Sequence, residues 1–456
     1  MSPELRLAYV LAVVLLYGLF CLWIALRHRK RSQANGTHAL ANGNGSTPVL
    51  VAFASQSGFA EYLAGRTAES LIAAGQPVTL LPLEQVQADT LATFERALFI
   101  VSTTGEGDAP THAYRFVAKV MDTPADFSRL RYGVLALGDS RYVNFCVFGR
   151  QLDEWLRACG ATALFERIEV DNGADAGIAA WKEQLARLGA SADIAISDGP
   201  QFAPWVLRER TLLNPGSAGG PVYLVRLSPP ASGMSWTAGD IAEIELPGHA
   251  ADLTGHPPHR SYSIASLPED GTLDLIVRQV RHEDGTLGAG SGWLTHHAQP
   301  ENAVPLRLRR NSSFHPQEPS RPLILIGNGT GLAGLRAHLK AQAARGEGRN
   351  WLIFGERNRA HDFLLREELE AWQAGGMLER LDLAFSRDQE ARVYVQHRLL
   401  EAQEAVRDWV AQGAAIYVCG SAEGMAGDVH AALTEILGAA RLVRLTEDGL
   451  YRRDVY

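Results

Sequence analysis

Cysteine is scarce: 456 residues carry four, Cys21, Cys146, Cys159 and Cys419. They lie far apart and form no C-x-x-C pair, which excludes a cysteine zinc site and a redox dithiol and matches thiol usage in a reducing compartment. An excess of basic charge is also missing. Lys and Arg number 43 against 51 Asp and Glu, a formal net charge of -8, which speaks against nucleic acid as the main partner and suits a basic protein surface. Part of that acid excess falls in Val49–Ala190, although such an excess ordinarily marks a solvated face. Long apolar runs and Gly/Asn-rich sequence are each confined to one short segment near the start. The remainder, in a chain that is 46% hydrophobic and 21% charged, has globular composition and enough length for two or three domains.

Residues 7–26 read LAYVLAVVLLYGLFCLWIAL, with no charge, about the length a helix needs to cross a ~30 Å hydrocarbon core. Arg27-His28-Arg29-Lys30-Arg31 follows at once, whereas only Glu4, Arg6 and the amino terminus precede. The positive-inside rule then predicts a single-pass anchor with the C-terminal body in the cytoplasm, at the inner membrane if the source is bacterial. A cleaved signal peptide would have a shorter core and its basic cluster on the other side. Residues 27–48 complete a basic stop and a Gly/Asn/Ser-rich flexible linker.

From residue 49 three apolar, β-rich runs each break into a polar loop. Val49–Ala54 leads into Ser55-Gln56-Ser57-Gly58-Phe59-Ala60 and a helical pattern, so amides at the helix start and the Ser55 and Ser57 hydroxyls suit a phosphate. Ala97–Val101 leads into Ser102-Thr103-Thr104-Gly105-Glu106-Gly107-Asp108. Tyr132–Leu137 leads into Gly138-Asp139-Ser140-Arg141-Tyr142-Val143-Asn144-Phe145-Cys146. Ligands of doubly wound sheets sit at such strand ends, where glycines admit a flat ring and Tyr142 could stack on it.

In this order and spacing the three loops resemble the FMN-binding flavodoxin domain of diflavin reductases, nearest to the sulfite reductase flavoprotein subunit. The resemblance implies that Ser55, Gln56, Ser57, Gly58, Phe59 and Ala60 hold the FMN phosphate. Thr103, Thr104 and Gly105 would line one side of the ring, Gly138, Tyr142, Phe145 and Cys146 the other, and Asp171 would lie near the ring edge or ribityl. Thr104 stands where NADPH-haemoprotein reductases have a stacking aromatic, so that flavin face should be less covered.

After a linker at 191–204 the pattern turns to alternating strands, VYLVRLS, DIAEIEL, TLDLIVRQV and PLRLRR, predicting an antiparallel β-barrel over 205–318. Arg260, Tyr262 and Ser263 supply a cation, an aromatic and a hydroxyl, and Gly288-Ala289-Gly290-Ser291-Gly292-Trp293-Leu294 follows. Together these resemble the FAD loops of ferredoxin-NADP reductase-like domains, with Arg260, Tyr262, Ser263, Gly288 and Ser291 as FAD contacts. The diflavin family usually inserts a helical connecting region between a Gly-Asp pair, here Gly239-Asp240, and the R-x-Y-S motif. This chain leaves only Ile241–His259 there, so that region is absent.

In the last unit, 319–456, Pro322–Ile326 feeds Gly327-Asn328-Gly329-Thr330-Gly331, a turn suited to a pyrophosphate, with Gly329 and Thr330 as contacts. Ser386, Arg387, Arg392, Tyr394 and Gln396 gather guanidiniums and hydroxyls in one stretch, and guanidiniums match phosphate geometry. The resemblance to the sulfite reductase flavoprotein assigns this stretch to the 2′-phosphate of NADPH. It also implies that Cys419, Ser263 and Asp454 orient hydride transfer and that Tyr456 covers the FAD ring, while Ser421 replaces the family's usual Asp.

The fold expected is therefore α/β plus β: a transmembrane helix, a flavodoxin-like doubly wound parallel sheet (49–190), an antiparallel FAD-binding barrel, and a doubly wound NADP-binding domain of ferredoxin-NADP reductase type. The expected function is NADPH to FAD to FMN electron transfer to a haemoprotein at the membrane. Alternatives are a component of a sulfite reductase or of a membrane ferric or quinone reductase. A non-enzymatic alternative is a flavin-binding assembly or sensing component.

Overall fold

A computed structural model of the chain describes residues 39–40, 47–55, 58–103, 107, 109–110, 113–138, 140, 144–171, 175–191, 202–231, 233–246, 259–316, 321–346 and 349–456. Among the described residues no helix is long and apolar enough to cross a membrane. The expected anchor at 7–26 lies outside them.

The first sheet contains β1 (Ala39–Leu40), β2 (Val49–Ala54), β3 (Val78–Pro82), β4 (Arg96–Ser102), β5 (Arg131–Gly138), β6 (Thr162–Ala163) and β7 (Ile168–Asp171). Its order is β1-β3-β2-β4-β5-β6, with β7 also on β5. All pairings are parallel except β1 on β3. Continuous apolar strands such as VLVAFA are buried on both faces, as a sheet covered by helices requires. Leu50, Ala52 and Phe99 face a layer containing helix Val147–Ala158. Their neighbours Val51, Leu98 and Ile100 face helices Phe59–Ala73 and Asp175–Arg187, the alternation a strand imposes. The linker expectation needs one correction, because Ala39 and Leu40 pair with Thr79 and Val78 at the sheet edge.

The second sheet is antiparallel, with β8 (Ala203–Leu212), β9 (Val222–Ser228), β10 (Ile241–Glu245), β11 (His259–Ser263), β12 (Leu273–Arg278) and β13 (Ala303–Arg309) in the order β11-β10-β13-β8-β9-β12. Its two ends meet where Ile264 bridges Leu275 and the Ala265 amide donates to the Asp274 carbonyl at 2.8 Å. That contact curls the sheet around Trp205, Leu207, Val225, Ile244, Leu275 and Leu306, all fully buried. Glu245 of β10 pairs with His259 of β11, so the two strands are joined through residues 246–258, too short a segment for a helical domain.

The third sheet is parallel: β14 (Leu323–Asn328), β15 (Asn350–Glu356), β16 (Leu378–Phe385), β17 (Ala415–Gly420) and β18 (Tyr451–Val455), in the order β16-β15-β14-β17-β18. The order reverses between β14 and β17, which opens a crevice at their carboxyl ends. This unit is bolted to the antiparallel sheet. Arg336 on helix Leu332–Ala343 donates to Asp274 at 3.0 Å, to the Ala265 carbonyl at 2.9 Å and to Glu368 at 2.7 and 3.0 Å. Arg452 donates to the Ser312 and Ser313 carbonyls at 2.9 and 2.7 Å.

Candidate active site

The first station lies at the carboxyl ends of β2, β4 and β5. Ser55 is buried and its Oγ accepts from the Ala60 amide at 3.2 Å, which fixes the first turn of helix Phe59–Ala73. Gly58 precedes that helix with φ of 83°, a left-handed conformation that glycine adopts without strain. Thr103 Oγ1 accepts from the Phe148 amide at 3.2 Å. Asp171 Oδ1 accepts from the Ser140 amide at 2.8 Å, so this carboxylate braces the third loop. A Cβ on Gly138 would come within 2.8 Å of the Cys146 amide, and Cys146 itself has φ of 54°. The Cys146 thiol points inward, donating to the Ala136 carbonyl at 3.4 Å, and burial pushes it up to about 12. Phe145 is half-buried beneath the Arg150 guanidinium. Gln56, Ser57, Thr104, Gly105 and Tyr142 lie outside the described residues. What is present, a capped helix start and glycine-lined loops on one sheet edge, fits a phosphate with a flat ring beside it.

The second station is on β11. Strand alternation puts Arg260 and Tyr262 on one face and turns Ser263 inward, where it is buried. Both outer side chains meet the Gly288–Leu294 loop: a Cβ on Gly290 would stand 2.6 Å from Arg260 Cγ and 2.9 Å from the Tyr262 hydroxyl. Ser291 Oγ accepts from the Val280 amide at 3.0 Å, closing the loop onto the sheet. Burial pushes the Tyr262 phenol up to about 12, so it remains a neutral donor. Arg260 is exposed and donates to the His259 carbonyl at 2.9 Å, which leaves guanidinium N–H groups for a pyrophosphate. The set fits FAD.

The third station faces the second across the crevice. Gly331 packs so closely that a Cβ would lie 2.1 Å from the Cys419 carbonyl, and one on Gly334 would lie 3.2 Å from Cys419 Sγ. Ser263 Oγ donates to Asp454 Oδ2 at 2.8 Å, and Cys419 Sγ approaches the same oxygen at 3.8 Å. Burial raises the Asp454 carboxyl above its usual range, opposed by the Ser263 bond and Arg309. Burial likewise holds the Cys419 thiol well above its ordinary value, with the Asp454 charge adding to it. Ser263 of the antiparallel sheet and Cys419 of the nucleotide unit thus share the Asp454 carboxylate. Tyr456, 58% exposed, places its hydroxyl 3.2 Å from Thr330 Oγ1.

Beyond β16, Ser386 is buried while Arg387, Arg392 and Tyr394 are exposed. Neither of these two guanidiniums forms an ion pair among the described residues. Their loop is held by Asp388, which accepts from the Asn358 side chain at 2.6 Å and the Arg359 amide at 3.0 Å. Two uncommitted guanidiniums on a fixed loop fit a phosphate monoester. Gln396 instead donates to Asp428 at 3.0 Å.

Two charged residues beside this crevice escaped the sequence reading. Arg278, ending β12, pairs with Glu356, ending β15, and a Cβ on Gly329 would lie 3.5 Å from the Arg278 guanidinium. Burial raises the Glu356 carboxyl, opposed by Arg278. A charge closing a largely apolar strand, as in LDLIVR and NWLIFGE, was the available signal.

Residues 51–181 match the flavodoxin family model, and residues 325–431 match the oxidoreductase NAD-binding domain model. Similar curated proteins are sulfite reductase (NADPH) flavoprotein alpha-components. The protein of Vibrio cholerae serotype O1 (El Tor Inaba N16961) is 28% identical over 551 positions, covering 93% of this chain and 89% of that protein. Those of Neisseria meningitidis serogroup C and Bacillus subtilis strain 168 are each 28% identical over 90% of this chain and 89% of their own length. The two domain matches and these relatives together support the diflavin reductase family. The chain is an NADPH-dependent oxidoreductase, and its cofactors are FMN, FAD and NADPH. An alignment of 551 positions is longer than the whole chain, so the Vibrio relative carries residues with no counterpart here, in keeping with the direct β10–β11 pairing.

Proposed function

We propose that this diflavin reductase is membrane-anchored and delivers electrons from NADPH, through its two flavins, to a haemoprotein at or in the membrane. When bound, FAD accepts hydride from NADPH and FMN passes electrons on singly. The observation that carries the reading is the Ser263–Asp454–Cys419 set. It joins the FAD-type strand to the nucleotide sheet at the switch point and gives the nicotinamide end of the crevice a fixed hydroxyl and a buried thiol. Arg387, Arg392 and Ser386 would hold the 2′-phosphate, Gly329 and Thr330 would hold the pyrophosphate beside Arg278, and the exposed Tyr456 would shield the FAD site from solvent.

The anchor is supported by the uncharged run 7–26 and the basic cluster at 27–31. An anchor favours a membrane-proximal acceptor, and the basic cluster on its C-terminal side supports a cytoplasmic body. A second reading, the flavoprotein component of a sulfite reductase, is favoured by the relatives' names. Flavinated full-length protein in detergent, assayed with NADPH against ferricyanide and cytochrome c, tests the path. Turnover of both acceptors, with one FMN and one FAD released per chain, is expected. Ferricyanide activity alone would refute transfer through FMN, and no turnover would refute the enzyme reading. Fractionation of cells expressing the full chain, with salt and detergent washes, tests the anchor: release by salt alone would overturn it.

A further inference from the structure

The direct β10–β11 connection raises the question of what seats the FMN-binding unit. The segment after β13 answers it. Residues 311–315 are held from two sides. Asp240 accepts from the Asn311 amide at 3.0 Å and pairs with His315, Tyr417 donates to the His315 carbonyl at 3.0 Å, and Arg452 donates to the Ser312 and Ser313 carbonyls. This rigid turn meets the phosphate-loop helix of the first sheet. Ser312 Oγ donates to Glu61 Oε2 at 2.6 Å, and Arg310 Nε stands 3.1 Å from Glu61 Oε1. Gly58 lies so close that a Cβ there would be 1.8 Å from the Arg310 carbonyl oxygen. Lys119 and Glu447, at 3.7 Å, make a second contact between the FMN-binding unit and the nucleotide unit. Near it lies a cavity of about 320 Å³ lined by Glu84, Gln87, Arg115, Glu447 and Arg452 among others, so the seam is polar and roomy, as reversible inter-domain contacts are.

We propose that the Arg310–Ser312 turn is a docking post for the FMN-binding unit of the same chain, gripping Glu61 in a chain without the helical connecting region. The inference rests on the electron path proposed above. Strand register gives it a distance. Arg309 pairs with Ile241, and Ile241 with Ser263, so the post begins two inter-strand spacings, roughly 10 Å, from the hydride centre. Docking Glu61 there brings the FMN loop to that centre without further machinery.

The test uses full-length flavinated protein with Glu61→Arg, Arg310→Glu and the double exchange. Each single variant places like charges together, which favours separation of the units. Both singles are expected to keep ferricyanide reduction and FMN content while cytochrome c reduction falls about three- to tenfold, and the double exchange is expected to recover most of it. Arg310 lies outside the FMN-binding unit, so Arg310→Glu reports docking even if Glu61→Arg loses FMN. Unchanged cytochrome c rates in the Arg310→Glu variant, or no recovery in a double variant that retains FMN, would overturn the post. If the parent, with both flavins, reduces ferricyanide but not cytochrome c, the electron path fails instead. Small-angle scattering then decides docking alone: a larger radius of gyration in the singles than in the parent supports it, and identical radii overturn it.

Discussion

Arg336 offers a quantitative test of how the nucleotide unit is held to the antiparallel sheet. Its side chain is 7% exposed and that of Asp274 5%, and its fork reaches Asp274, the Ala265 carbonyl and Glu368 together. Arg336→Met keeps the length but leaves Asp274 without its closest counter-charge and the Ala265 carbonyl without this donor. Removing one partner of a buried pair costs about 3–5 kcal/mol. For a unit of 150–250 residues each kcal/mol moves Tm by ~2–4 °C, so the expected drop is roughly 6–20 °C. Arg336→Lys restores charge but not the fork and should fall between parent and Met. The assay is thermal unfolding of the flavinated protein at pH 7, followed by circular dichroism. A Met variant melting within about 2 °C of the parent, below the smallest shift expected, would refute the reasoning. Because the same helix carries Gly334 against Cys419, a loosened clamp should also slow NADPH-driven ferricyanide reduction.

Asp454→Asn should separate stability from activity. Burial raises the Asp454 carboxyl in the folded chain, so the folded state binds the proton more tightly than the unfolded state. This contribution to stability is present at low pH and is lost as pH rises through the folded value. The Asn variant, which has nothing to ionise, should melt higher than the parent at pH 8, with the difference shrinking toward pH 4, while ferricyanide reduction falls about 10- to 100-fold. Equal melting curves at both pH values would contradict this. Arg387→Ala and Arg392→Ala should each lower kcat/KM for NADPH about 10- to 100-fold, the range of one charge-assisted bond, and leave NADH nearly unchanged. An equal loss with both nucleotides would show that these guanidiniums do not read the 2′-phosphate.

The flavin and nucleotide loops were legible because each follows a continuous buried strand. VLVAFA, ALFIV and LILI end in glycines and hydroxyls that sequence order alone delivers to a sheet edge. β8 was not. Its APWVLRERTL run shifts register between Leu207 and Glu209, and such a bulge destroys the alternation by which a half-buried strand is read. Ala39–Leu40 pairs with β3 in a segment without apolar period. Arg278–Glu356 and Arg336–Asp274 join positions 78 and 62 residues apart, and nothing local to either residue specifies its partner. The same holds for Glu61 and Arg310, whose meeting depends on how two separately folded units pack.

The thiols have a practical use. Cys146 and Cys419 are buried and protonated at neutral pH, whereas Cys159 is partly exposed. Cys146 precedes helix Val147–Ala158 and Cys159 follows it, so one helix length, roughly 18 Å at 1.5 Å per residue, separates Cys159 from the flavin loop. A maleimide fluorophore applied to protein carrying Cys21→Ser should therefore attach at one position a helix length from the flavin loop, giving the FMN-binding unit an optical marker without introducing a cysteine.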